Sequence, residues 1–162
     1  VIAVKADLST EVGCRSAIDA CVGRWGGIDI LINNAGSAPR GHVLHDLSPE
    51  VLDDSLRLKL YACLRLSQMA FPYMQAQRWG RIVNIAGAAG TGPTPTNLAA
   101  GLANIGMLNL TRALSDVGSE HNILVNAICP GLTNTPRARV TRAAAAERLG
   151  RPMTAEEIEA DI

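Results

Sequence analysis

The sequence has no excess of either charge. Its 15 lysines and arginines are offset by 15 aspartates and glutamates, which removes the electrostatic drive toward nucleic acid or an anionic membrane surface. It has no apolar run approaching the roughly 20 residues that a membrane-spanning helix needs. Cysteine is sparse and scattered, at Cys14, Cys21, Cys63 and Cys129, with no Cys-x-x-Cys pair. Cys14 and Cys21 can share a helix face, but thiols so placed are expected to stay reduced, as in a cytoplasmic protein. His42 and His45 with Asp46 are the nearest approach to a ligand group. In a loop they are expected to be solvated side chains, with no metal. No internal repeat or low-complexity linker interrupts the chain.

What is present is an alternation of strands and helices. The 162 residues, 48% apolar, suffice for one packed domain and predict no second. The chain opens at Val1 inside a strand-like run and closes at Ile162, soon after the capping-box pattern Thr154-Ala155-Glu156-Glu157. The expectation is a piece of a longer protein. Ile2 to Ala6 reads as a short strand stopping at Asp7-Leu8. Ser9 or Thr10 then caps a helix that carries Val12, Ile18 and Val22 and ends at Gly26-Gly27. Ile28 to Ile32 is a second strand. Ser48-Pro49-Glu50, an N-cap followed by proline at the first helical position, opens a helix that runs to about Gln77. Arg81 to Ile85 is a third strand. Pro93 and Pro95 delay the next helix to about Thr96, and it runs to Gly118. Ile123 to Ile128 is a fourth strand, closed by Pro130-Gly131. This order predicts an α/β fold with a doubly wound parallel sheet and right-handed crossovers.

The two long helices are apolar on more than one side. One carries Leu52, Leu56, Leu60, Cys63, Leu66, Ala70 and Met74; the other carries Leu102, Ile105, Leu108, Leu110, Leu114 and Val117. Helices of this kind need cover from the sheet and from something else. The strands stop on small or amide-bearing residues: Asp7, Asn33-Asn34-Ala35-Gly36, Ala86 to Gly90, and Pro130 to Thr135. Open α/β sheets hold ligands outside the carboxyl ends of their strands.

The wording Asn-Asn-Ala-Gly at 33–36 and Pro-Gly-x-x-x-Thr at 130–135 resembles the short-chain dehydrogenase/reductase family. That resemblance implies a Rossmann-like domain, here incomplete, lacking its first two strands and its C-terminal part. It implies a protein that moves a hydride between NAD or NADP and an alcohol or carbonyl, and a homo-oligomer formed through the helices at 49–77 and 96–118. By the same resemblance Asp7, with Leu8 beside it, touches the adenine, and Asn33, Asn34, Ala35 and Gly36 line the ribose side. Pro130, Gly131, Thr133 and Thr135 face the nicotinamide end and its phosphates. Residues 136–162 become a helical segment on the substrate side. There Arg137, Arg139, Arg142, Arg148 and Arg151 are answered by Glu147 and the acidic stretch from Glu156 to Asp161.

The family's proton chemistry does not carry over. It uses a tyrosine whose phenol is acidified by a lysine four residues on, a serine that orients the carbonyl, and an asparagine that holds a relay water. By spacing, the serine position falls at Gly87, the tyrosine at Ala100, the lysine at Asn104 and the asparagine at Lys59. The only tyrosines, Tyr61 and Tyr73, are followed four residues later by Arg65 and Gln77, and the only lysines are Lys5 and Lys59. Lysine and asparagine therefore look exchanged. Lys59 falls on the stripe of Leu52, Leu56 and Cys63. Either it points into the cleft and keeps a cation there, hydrogen-bonded near Asn104, or it snorkels its head to water past an apolar helix. Gly87-Ala88-Ala89-Gly90-Thr91-Gly92 reads as a substrate-side loop rather than a phosphate cradle, because the prolines after it block a helix. Thr91, Thr94 and Thr96 offer hydroxyls near the site. Two functions follow: an oxidoreductase with an altered acid–base group, or a catalytically silent relative serving as dinucleotide sensor or oligomerisation subunit.

Overall fold

A computed structural model describes residues 1–36, 44–131, 133, 135, 136, 139, 140, 143, 146, 147 and 150–154. The chain forms two compact units, Val1–Cys129 and Pro130–Ile162.

The first unit is a three-stranded parallel sheet with helices on one face. α1 (Glu11–Trp25) begins where the Thr10 hydroxyl accepts the Gly13 N–H, and it ends where Gly26 turns left-handed at φ 82°. β1 (Ile30–Asn33) follows. α2 (Pro49–Leu56) is capped by Ser48, which accepts the Val51 N–H. The long helix expected from 49 to 77 is broken by a single π turn, Arg57–Tyr61, before α3 (Ala62–Ala76) resumes. β2 (Gly80–Ile85) leads through a short 3₁₀ turn, Ala88–Gly90, to α4 (Leu98–Ser119) and β3 (Ile123–Ile128). The strands lie in the order β1–β2–β3, with Asn33 beside Asn84 and Asn84 beside Ala127.

Strand alternation sorts the faces. Leu31, Ile82, Ile123 and Val125 point to the helices, where Cys14, Ile18, Ala62, Leu66, Ala70 and Met74 meet them in one core. Ile30, Ile32, Leu124 and Ile128 point the other way and stay roughly half exposed (57%, 60%, 48% and 52%). A parallel sheet normally has both faces covered; in the first unit only one is.

The structure corrects two sequence expectations. Residues 1–6 are not a strand. No described strand pairs with them, and Ile2 and Val4 remain exposed. Without a ladder partner, an apolar pattern has no reason to become a strand. Val12 is also an outward residue, strongly exposed, and Cys14 takes the buried position with Ile18.

In the second unit the described residues Pro136, Arg139, Val140, Ala143, Ala146 and Glu147 are helical. His42, Arg137, Arg142, Arg148 and the Glu156 to Asp161 stretch lie outside the described residues.

Candidate functional site

Parallel register places the carboxyl ends of β1, β2 and β3 on one edge of the sheet. The residues that leave this edge are small or amide-bearing. Asn34, Ala35 and Gly36 run exposed from β1, and Ala86 and Gly87 leave β2. The empty space at the glycines is used. A Cβ on Gly36 would lie 3.3 Å from the Lys59 Cδ, and one on Gly87 would lie 3.1 Å from the Asn104 Nδ2. The edge is a shallow cradle that side chains larger than hydrogen would fill. It suits the close backbone approach that a flat dinucleotide requires.

The base of this edge is fixed by a buried polar chain that runs from helix to sheet to helix. The Met107 carbonyl can only accept, so the Thr111 hydroxyl donates to it (2.7 Å). Thr111 must then accept from Asn84 Nδ2 (2.8 Å). That leaves Asn84 Oδ1 to accept from Asn33 Nδ2 (2.8 Å) and the Cys63 thiol (3.2 Å). Asn33 Nδ2 also reaches Ser67 Oγ at 3.3 Å. The direction of every amide is set by one carbonyl at the end of the chain. Asn33 is 5% exposed, so of the cofactor wall expected from the sequence its side chain goes to the scaffold. Asn84, Thr111 and Ser67 were not singled out by motif. The available signal was alternation: Asn84 shares the inward face of β2 with Ile82, and a polar residue at such a position needs partners.

Asp7 lies beyond the start of α1. Its carboxylate accepts both the Ser9 N–H (3.0 Å) and the Ser9 hydroxyl (2.7 Å), and these bonds hold its pKa below the ordinary value. Leu8 packs on the core behind it. Leu8, Asn33, Asn34, Ala35, Lys59 and Cys63 line one small cavity of about 30 Å³. Burial pushes the Cys63 thiol up to about 11, so it acts as a filler and a donor rather than as a nucleophile.

Lys59 sits at the centre of the π turn. Its stem lies on Gly36, and it is half-buried. Desolvation lowers its pKa, opposed by the neighbouring Cys129 thiol. Among the described residues it has no carboxylate within ion-pair reach and no hydrogen bond to Asn104. Asn104 is buried on α4 against Gly87 and Gly90, and its Oδ1 receives no donor among the described residues. Ala100, one turn earlier, is also buried. The structure thus joins Lys59 to the Asn33–Gly36 strand end and Asn104 to Gly87, as two neighbouring pairs. The Gly87–Gly92 stretch forms the 3₁₀ turn packed directly on α4. Pro130, Gly131, Thr133 and Thr135 belong to the second unit, where the Thr133 hydroxyl approaches the Gly131 carbonyl at 3.5 Å.

The architecture so defined is an open parallel α/β sheet with its free crevice at the strand carboxyl ends. Residues 1–146 match the sequence model described as short chain dehydrogenase. The chain belongs to the short-chain dehydrogenase family. It is 33% identical over 133 residues to a 7alpha-hydroxysteroid dehydrogenase of Bacteroides fragilis, covering 80% of this chain and 51% of the relative. It is 30% identical over 150 residues to a D-beta-hydroxybutyrate dehydrogenase of Cupriavidus necator, covering 91% and 57%. Among solved structures, an NAD+-bound xylitol dehydrogenase superposes with a TM-score of 0.80 at 27% identity, over 87% of this chain and 55% of the other. ElxO with NADP bound gives 0.81 at 22% identity, over 88% and 57%, and shares the fold. The chain spans about half the length of the relatives it matches.

Proposed function

We propose that the whole protein is an NAD- or NADP-dependent oxidoreductase of the short-chain type, interconverting the alcohol and carbonyl forms of a small molecule. The observation that carries this reading is the single edge formed by three parallel strand ends, with small and amide residues at 34–36 and 86–87. The NAD+-bound and NADP-bound neighbours and the dehydrogenases among the relatives support it. The dinucleotide, when bound, accepts or supplies the hydride. In this reading Asp7, Leu8 and Asn34 to Gly36 form the wall that holds it, and buried Asn33 fixes the strand end behind them. Lys59 keeps positive charge at this edge, which lowers the cost of negative charge on a substrate oxygen. A lysine with a depressed pKa is also a stronger proton donor than a surface one. The buried Asn104 amide, which falls at the family's lysine position, lies beside Gly87, at its serine position, and in this reading it offers an N–H to the substrate oxygen. We place the protein in the cytoplasm as a homo-oligomer. The half-exposed Leu102, Ile105 and Val117 on α4 give it apolar surface for a second subunit. No helix among the described residues is long and apolar enough to cross a membrane.

A second reading, a catalytically silent relative that senses dinucleotide or supports assembly, is favoured by one observation. Counted by spacing, the tyrosine and serine positions fall at Ala100 and Gly87, which carry no acid, base or hydroxyl, and the sequence 1–162 contains no Tyr-x-x-x-Lys. Expression of the whole protein, with NAD(H) and NADP(H) binding and turnover over an alcohol and ketone panel, separates the two. The enzyme reading predicts turnover that falls at least tenfold in Lys59→Ala. Binding without turnover replaces it with the sensor.

A further inference from the structure

Lys59 lines the small cavity at the end of β1, its stem against Gly36, and has no carboxylate within ion-pair reach among the described residues. Of the side chains around this cavity, Lys59 alone carries a charge, and the others are apolar, amide or thiol. Half-burying an ammonium without a counter-charge is costly, and a ligand anion offsets that cost. Gly36 is what makes the arrangement possible, because a side chain there would displace the lysine stem that lies along it. A second residue with an amide donor, Asn34, lines the same cavity. Asn34, one residue beyond β1, is exposed, and its carboxamide makes no hydrogen bond among the described residues. Its position is well held, since the preceding Asn33 is tied to Asn84 and Ser67. At about 30 Å³ the space accepts an oxygen-bearing end group rather than a whole molecule.

We propose that the Lys59 ammonium and the Asn34 carboxamide together bind an anionic oxygen group, a carboxylate or a phosphate, carried by the ligand of the crevice. In this proposal the two residues come from elements of different kinds, the π turn and the end of β1, so a charged and a neutral N–H donor together select for charge and for position. The inference goes beyond the oxidoreductase reading. It concerns recognition in the ground state and holds whether or not substrate is turned over.

The test uses the whole protein with its lysines carrying ¹³C-methyl labels, which keep their charge. The Lys59 signal is assigned by its loss in Lys59→Arg. Exposed Lys5 serves as internal reference. Sodium phosphate and sodium acetate are titrated separately at constant ionic strength made up with chloride. The proposal predicts a saturable shift of the Lys59 signal with at least one of the two anions, no matching shift at Lys5, and an affinity weakened about tenfold in Asn34→Leu. A response to phosphate alone assigns the site to a phosphate of the dinucleotide. A response to acetate alone assigns it to a substrate carboxylate, and a response to both supports the shared chemistry. Lys59 tracking Lys5 with both anions overturns the proposal, as does an unchanged affinity in an Asn34→Leu protein whose circular dichroism is native. No turnover is measured, so failure of the oxidoreductase reading leaves this result independent.

Discussion

Lys59 is the residue on which most of the chemistry turns, and its titration has a definite sign. Desolvation lowers its pKa in the folded protein below the ordinary 10.5, so between the two values the unfolded chain binds more protons than the native one. Below the folded pKa the native state carries the full cost of the half-buried ammonium, and that cost is relieved as pH rises toward the unfolded value. Lys59→Met removes the cost. Its stability advantage over the parent, measured by urea unfolding, is therefore expected to be largest at neutral pH and to narrow toward pH 10. An advantage that is constant with pH would show that desolvation does not act on this lysine. The sequence singled out Lys59 and Asn104 as polar residues on apolar helices. The neighbours of the two residues were not legible in it, because a π turn shifts the register of the side chains around it in a way that 3.6-residue periodicity cannot foresee.

At the scale of elements, the strand ends are positioned by hydrogen bonds more than by apolar contact. The chain from Met107 through Thr111, Asn84 and Asn33 joins α4, β2 and β1, with Cys63 and Ser67 added from α3. Asn84→Leu keeps most of the volume but leaves buried donors without an acceptor. It is expected to cost about 2–3 kcal/mol in chemical unfolding. Combined with Asn33→Leu it is expected to cost clearly less than the sum of the two single changes, because both remove one shared network. Strict additivity would mean that the amides act separately. The 3₁₀ turn after β2 depends on steric room. A Cβ on Gly90 would stand 2.9 Å from the Asn104 Cβ and 3.0 Å from its backbone carbon, so Gly90→Ala is expected to destabilise by about 1–3 kcal/mol. Thermal unfolding checks this, and an unchanged midpoint would show that the turn is free to move off α4. Helix caps at Thr10 and Ser48 and the β2 and β3 strands followed from sequence pattern, since local chemistry decides them. The buried network did not, because its members come from four elements and share no motif.

For the first unit as a whole, the one-sided sheet is the dominant fact. A parallel sheet joined by helical crossovers followed from the alternation of elements; the order of its strands and the one-sided placement of its helices were not specified by it. The fate of residues 1–6 did not, because a strand exists only where a partner is available and sequence pattern does not supply one. The half-exposed Ile30, Ile32, Leu124 and Ile128 form an apolar face of the kind that associates. This chain expressed alone is expected to self-associate. Ile32→Thr with Leu124→Lys is expected to raise the monomer fraction in light scattering without changing the helical signal, and an unaltered distribution would locate the association elsewhere.

Every role proposed for Lys59, Asn34 and Gly36 depends on the strand-end edge being a dinucleotide site. Calorimetric titration of the whole protein with NADH and NADPH tests that most directly, beside a variant in which Gly36→Val fills the cradle against Lys59. The expected result is one site for at least one dinucleotide, weakened tenfold or more by the valine while the fold persists. Absence of binding by both dinucleotides, or binding that the valine leaves unchanged, would contradict it.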